Sequence, residues 1–347
     1  MNGSVIKYLA GVADLAALDI EAAAVTLTSK SSGEISAFYD GMYAKGLRKE
    51  TGDGADFSVS INANQFKTLA LMFSDDDNVL LDRSKTGLVI KSRYTNASLR
   101  EWGERGDVDD LMPKNAPELI AALPADSLQS EIDAAAGFAS DSQLRPALTG
   151  IRFSFDGALT LTATDGDTAF YVSTTHAKTK GKGDFIVPTE DFLRGARLVT
   201  GGNVRVYKPN NHGAVVIYNN RSVFRSVLIN APWPDLTDLM KKRPTAHFQV
   251  EAAQLRNLVS GAKALGSGPD INVVPAKGRV VFKTESDSGN FSTAVKGNLT
   301  NSLRYGVESM AKVIKLGPVL DFYVPEKAYE PTIVECGDRR CWILTRI

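Results

Sequence analysis

The chain has 347 residues, 43% hydrophobic and 23% charged, a globular composition too long for one ordinary core. Lysine plus arginine and aspartate plus glutamate both number 40, so the formal charge is zero. This excludes a protein that holds nucleic acid by bulk charge, but not one with basic residues gathered on a single surface.

Residues 1–24 lack the continuous apolar run of a secretory leader, because Asp14 and Asp19 interrupt it. No apolar run approaches membrane-spanning length, so the reading is cytoplasmic. Residues 4–18 place Val5, Ile6, Leu9, Val12, Ala13 and Ala16 at helical spacing. Alternating runs follow at 23–28, 35–43 and 56–61. Asn62 then caps a helix over 63–73, with Phe66, Leu69, Ala70 and Phe73 on one face. Strand-like runs recur at 79–82, 87–92 and 97–102, and 106–117 reads as a linker.

The pattern restarts with a helix over 124–139. Residues 144–172 form the clearest local signal. Ile151, Phe153 and Phe155 alternate with Arg152 and Ser154, and Leu159, Leu161 and Ala163 alternate with threonines. Asp156-Gly157 supplies the hairpin turn. A basic, glycine-rich loop at 178–183 leads to a short strand at 185–187 and a helix at 190–200 capped by Thr189. Strands follow at 204–207, 214–218 and 223–229, and 241–244 reads as a second linker. The last third predicts a helix at 250–265, strands at 271–274, 279–284, 291–297 and 304–307, a helix at 309–316, and three closing strands at 319–324, 332–336 and 341–346.

Each third therefore reads helix, strands, helix, strands, with a period of about 115 residues, an ordinary domain size. The predicted domains are 1–117, 118–244 and 245–347. The fold class is α+β: helices packed on one face of antiparallel sheets, three times over. If edge strands of successive units pair, the sheets become continuous, and closing the array removes exposed edges. Helix positions outside the apolar stripes carry Lys7, Lys67, Arg194, Arg197, Arg256, Lys263, Lys312 and Lys315, against Asp14, Glu131, Asp133, Glu190 and Asp191. Solvated surface is the plain reading of any one lysine. Gathered on one face, they would touch phosphates without reading bases.

Cys336 and Cys341 are too few for a disulfide framework and read as reduced packing residues. His176, His212 and His247 are scattered, which argues against zinc, and no metal or other cofactor is expected. There is no phosphate-binding glycine loop and no nucleophile elbow, and Asp75-Asp76-Asp77 reads as a solvated turn, so an enzyme is not expected.

Several motifs together resemble a known family. Ala163-Thr164-Asp165-Gly166, Arg145-Pro146-Ala147-Leu148-Thr149-Gly150, the Val187-Pro188 step before a helix, Trp233-Pro234-Asp235, and the C-terminal strand ending in Arg346-Ile347 occur in the order seen in bacterial DNA polymerase sliding clamps. The match is at motif level from 144 to 239 and in element order throughout. The resemblance implies three like domains per chain and a head-to-tail homodimer ring around double-stranded DNA. Its implied partners are the replicative polymerase and a clamp loader. It further implies a partner-peptide pocket walled by Leu148, Thr164, Gly166, Asp167, Thr168, Pro234, Leu239 and Ile343, and places the eight basic residues above toward DNA. The family carries His-Arg-Leu after Thr-Asp-Gly, where this chain has Asp167-Thr168-Ala169. The rim thereby loses its basic and bulky character, as fits a divergent, phage-encoded clamp. The competing reading is a β-rich structural or interaction protein, such as a virion component, that does not encircle DNA.

Overall fold

A computed structural model describes residues 1–19, 23–30, 34–39, 42–47, 56–103, 118–174, 177–207, 214–219, 221–241, 246–266, 270–327 and 330–345. The predicted linker at 106–117, residues 242–244 of the second linker, His176, His212 and residues 346–347 lie outside them.

The first third runs α1 (Gly3–Asp19), β1 (Ala24–Ser29), β2 (Glu34–Tyr39), β3 (Met42–Leu47), β4 (Phe57–Asn62), α2 (Ala63–Ala70), β5 (Leu80–Ser84), β6 (Gly87–Lys91) and β7 (Asn96–Arg100). The second runs β8 (Leu119–Pro124), α3 (Ala125–Ala136), β9 (Gly150–Asp156), β10 (Ala158–Thr164), β11 (Thr168–Thr174), β12 (Lys178–Thr179), β13 (Lys182–Pro188), α4 (Thr189–Leu198), β14 (Asn203–Tyr207), β15 (Ala214–Tyr218) and β16 (Ser222–Val227). The third opens with the short α5 (Thr237–Lys241). It continues through β17 (Ala246–Glu251), α6 (Ala252–Ala264), β18 (Asp270–Ala276), β19 (Arg279–Ser286), β20 (Gly289–Lys296), β21 (Leu303–Gly306), α7 (Val307–Val313), β22 (Val319–Val324), β23 (Thr332–Cys336) and β24 (Arg339–Ile343).

Strand pairing exposes the repeat that residue identity hides. In every third, the first strand after the first helix sits between its hairpin partner and the strand feeding the second helix. These trios are β2-β1-β4, β10-β9-β13 and β19-β18-β21. The strand before the first helix pairs with the strand after the second: β8 with β14 and β17 with β22. In the first third this pairing shrinks to a bridge between Asn2 and Asn78. Each third ends in a meander, β5-β6-β7, β14-β15-β16 or β22-β23-β24.

The thirds are fused edge to edge by one rule. The third strand after the first helix pairs antiparallel with the last strand of the next third: β3 with β16, and β11 with β24. Pairing these edges satisfies backbone groups that would otherwise be bare. It also divides the chain into two compact units that cut through the middle third, Met1–Leu128 with Glu190–Val227, and Gln129–Thr189 with Leu228–Ile347.

In the first unit α1 packs on α2 and over β1, β2 and β3. Ile6, Leu9, Val12, Ala13 and Ala16, the predicted stripe, are buried there with Phe66 and Ala70. Asn62 caps α2 as expected, its side chain accepting from the Gln65 amide at 3.0 Å. In the second unit α6 packs on α7 and buries Leu255, Leu258, Val259 and Ala262. Phe248 and Phe322 stack at 5.3 Å, and Phe282 meets both edge-on at 6.0 Å. The predicted hairpin is β9-β10, with Gly157 at φ +77° in its turn.

One strand is unexpected, and three expectations need correction. The all-apolar run at 119–123, to which no element is assigned above, forms β8; unbroken apolarity distinguishes neither strand nor helix. The helix expected from 250 starts at Ala252, because Phe248 and Val250 alternate with His247, Gln249 and Glu251 as a strand. Thr189 is the first residue of α4, and its hydroxyl is buried without a partner among the described residues rather than capping the helix. Most of the expected 178–183 loop belongs to β12 and β13.

Candidate functional site

The Thr164–Thr168 turn between β10 and β11 is a closed hydrogen-bonded unit. The Thr164 hydroxyl donates to the Thr168 carbonyl at 2.6 Å and accepts from the Gly166 amide at 3.1 Å. Asp165 Oδ1 accepts from the amides of Asp167 (2.9 Å) and Thr168 (2.7 Å) and from Thr168 Oγ1 (3.0 Å). Asp165 Oδ2 accepts from Lys312 Nζ on α7. Gly166 sits at φ +103°, a conformation that side chains other than glycine rarely adopt. Burial opposes ionisation of Asp165, but Lys312 and the turn's own N–H donors outweigh it and hold the carboxyl below the usual aspartate range. The turn is tied onward to the end of β24, because the Leu344 amide donates to the Asp167 carbonyl at 3.1 Å.

Beyond the turn, β11, β24, β23, β22 and β17 present one continuous outer face. Register aligns Ala169, Trp342, Ile333, Tyr323 and His247 across it. The next row is Tyr171, Arg340, Glu335, Asp321 and Gln249. Ala169, Ile333 and Trp342 form a small apolar cluster with Leu236 and Leu239 from the α5 segment and with Tyr171 and Tyr323. Tyr171 meets Trp342 edge-on at 6.3 Å, and the Arg340 guanidinium lies 6.0 Å from the Trp342 ring while pairing with Glu335. His247 packs on Tyr323 at 4.8 Å and contacts Asp321 at 2.9 Å. The Trp342 indole N–H is buried without an acceptor among the described residues.

The structure sorts the predicted pocket residues into groups. Leu239 belongs to the apolar cluster, and Gly166 and Asp167 form the exposed tip of the turn. Pro234 is half-buried in the segment that leads into α5. Leu148 is buried in a 3-10 turn at Pro146–Thr149 and is not one of that cluster's side chains. Thr164 is buried, with its hydroxyl spent on the turn. Thr168 and Ile343 are cross-strand partners on the opposite, core face. The residues on the outer face are their neighbours Ala169 and Trp342, both buried in the apolar cluster, since a shift of one residue along a strand changes face. Cys341, Trp342 and Ile343 are all apolar, so alternation gave no signal of which one faced outward.

The basic residues also differ. Arg197, Arg256, Lys263 and Lys315 are exposed, and Lys263 pairs with Glu308 at 3.0 Å. Lys67 is half-exposed on α2. Lys7 pairs with Asp75 at 2.8 Å, and Arg194 lies 4.0 Å from Glu190. Lys312 is committed to Asp165. Glu131, counted above as helix surface, is held by Arg339 at 2.9 Å. Cys336 and Cys341 are free thiols, and burial pushes the Cys341 thiol upward. Among the described residues, no helix is long and apolar enough to cross a membrane.

Over its whole length the chain shares its fold with bacterial sliding clamps. The DNA polymerase III subunit beta from Pseudomonas aeruginosa matches with a TM-score of 0.82 at 15% identity, covering 100% of this chain and 99% of that one. The corresponding subunit from Thermotoga maritima gives 0.82 at 12% identity over 100% and 98%. The Helicobacter pylori beta clamp bound to a DNA ligase peptide gives 0.78 at 17% identity over 99% and 97%. No family model and no curated protein matches the sequence.

Proposed function

We propose that this chain is a sliding clamp: a closed ring, formed by two copies, that encircles duplex DNA and tethers a replicative polymerase. The carrying observation is the joint rule. It is satisfied twice within the chain, by β3 with β16 and β11 with β24, and among the described residues leaves one strand of each type at a sheet edge. β20 is the third strand after α6 and ends the sheet β20-β19-β18-β21, and β7 is the last strand of the first third and ends β5-β6-β7. Applying the rule once more pairs β20 of one copy with β7 of the next, head to tail, with three domains per chain. Two copies close the ring in this reading.

The role is topological rather than catalytic, which accommodates zero net charge: a ring need not grip DNA tightly, and weak phosphate contacts permit sliding. Arg197, Arg256, Lys263 and Lys315 are the contacts this reading assigns. The outer face around Leu239, Ala169 and Trp342 receives short apolar peptides from the polymerase and clamp loader. The DNA ligase peptide on the Helicobacter pylori clamp supports peptides as the partner class. This places the protein in the cytoplasm, at the replicating DNA.

Sedimentation mass and DNA retention test the reading together. A dimer that stays on circular duplex and runs off after linearisation is the expected result. A stable monomer, or equal loss from both DNA forms, would overturn it in favour of a structural or interaction protein. Phe291→Asp on β20 should shift the dimer to monomer without unfolding the chain, because Phe291 is partly exposed at that edge.

A further inference from the structure

We infer that Lys312 is a positioning residue of the proposed peptide groove on the outer face: its ammonium, held on Asp165, fixes the Thr164–Thr168 turn in its docking shape, and it is not a phosphate contact. The inference rests on reading the outer face as a peptide dock. The two Asp165 oxygens divide the work. Oδ1 organises the turn through the Asp167 and Thr168 amides and the Thr168 hydroxyl, at 2.7–3.0 Å. Oδ2 faces α7 and takes Lys312. The Lys312 and Asp165 side chains are only 21% and 23% exposed, so both charges are largely withdrawn from water. A partly buried carboxylate that loses its cation loses its preferred orientation, and the three donors on Oδ1 lose theirs with it.

The effect passes to the groove through two links. Gly166 and Asp167 form the exposed tip, and the Asp167 carbonyl holds the Leu344 amide at 3.1 Å. That fixes the end of β24, the strand that carries Trp342, while Ala169 follows Thr168 directly on β11. Lys312 thus acts on docking from α7 without itself lining the groove.

Three readouts on Lys312→Met, Lys312→Arg and Asp165→Asn in the full-length protein test this. They are amide hydrogen exchange at Asp167, Thr168 and Leu344, affinity for a labelled DNA ligase peptide, and the salt dependence of DNA retention. Lys312→Met and Asp165→Asn should each speed exchange and weaken peptide binding by about tenfold. The double variant should be no worse than either alone, as expected of one shared interaction. Lys312→Arg should restore binding, which a simple packing role would not. The salt slope of DNA retention should not change. Unchanged exchange in Lys312→Met would overturn the inference, and so would a salt slope reduced by about one, the mark of a lost phosphate contact. If the wild type fails to bind the peptide, the docking reading falls, while exchange still decides whether Lys312 positions the turn.

Discussion

The sheet β13-β9-β10-β11-β24-β23-β22-β17 has two faces built from alternate residues of the same strands, and they are made differently. The core face carries Phe170, Val172, Cys341, Ile343, Phe322 and Val250, all at 1% exposure or less. Its polar residues are satisfied: Thr332 is fully buried and shares a 2.6 Å hydrogen bond with the Tyr305 hydroxyl, and the buried Thr168 hydroxyl donates to Asp165 at 3.0 Å. The outer face sets the buried Trp342 among the half-buried Tyr171 and Tyr323 and beside the charged Arg340, Glu335 and Asp321. Apolar area beside oriented charge, with Tyr171, Tyr323 and Leu239 half-buried, differs from the closed core face and is what we propose a partner peptide docks on. Two residues one position apart on one strand can therefore differ in whether they close the aromatic core or pack on the opposite, charge-bearing face.

Substitutions on the two faces should separate stability from binding. Phe322→Ala removes a ring stacked on Phe248 and packed against Phe282, and should cost about 3–5 kcal/mol of unfolding free energy by denaturant titration. A loss below about 1 kcal/mol would mean that this face is not a packed core. Thr332→Val keeps the shape but strands the buried Tyr305 hydroxyl, for an expected loss of about 1–3 kcal/mol. Tyr305→Phe in the same background should recover part of it. On the outer face, Leu239→Ser should cost about 1 kcal/mol or less in stability, because Leu239 is only half-buried, yet abolish polymerase stimulation and peptide binding. Unchanged stimulation would remove the groove assignment.

The smallest effect is expected from pH. The Asp165 carboxyl lies below its unfolded value, so its contribution is fully present above the ordinary aspartate range of about 4. It is lost only as pH falls through the lower folded value. Peptide affinity measured from neutral to mildly acidic pH should therefore stay flat in this respect and fall only in strong acid. Asp165→Asn should remove that dependence.

Much of this was legible in the residues. The Asp156-Gly157 hairpin, the Asn62 cap, the α1 and α6 stripes and the order of elements in each third follow from local chemistry: turn-forming glycine, a capping amide, and apolar spacing of 3.6 or 2. The turn Thr164–Thr168 and Leu239 were also marked by motif. β8 and the facing of β24 were not legible, because their runs are apolar throughout and carry no period.

Local sequence thus determined most of the helices and strands and the order in which they recur. It could not determine that β3 joins β16 and β11 joins β24, because edge pairing links residues more than a hundred positions apart and leaves no local signature. Nor could it show that Lys312 is spent on Asp165, 147 residues away, rather than offered to solvent. A lysine on a helix reads the same in either case, and only the chain that packs against it decides which charge it meets.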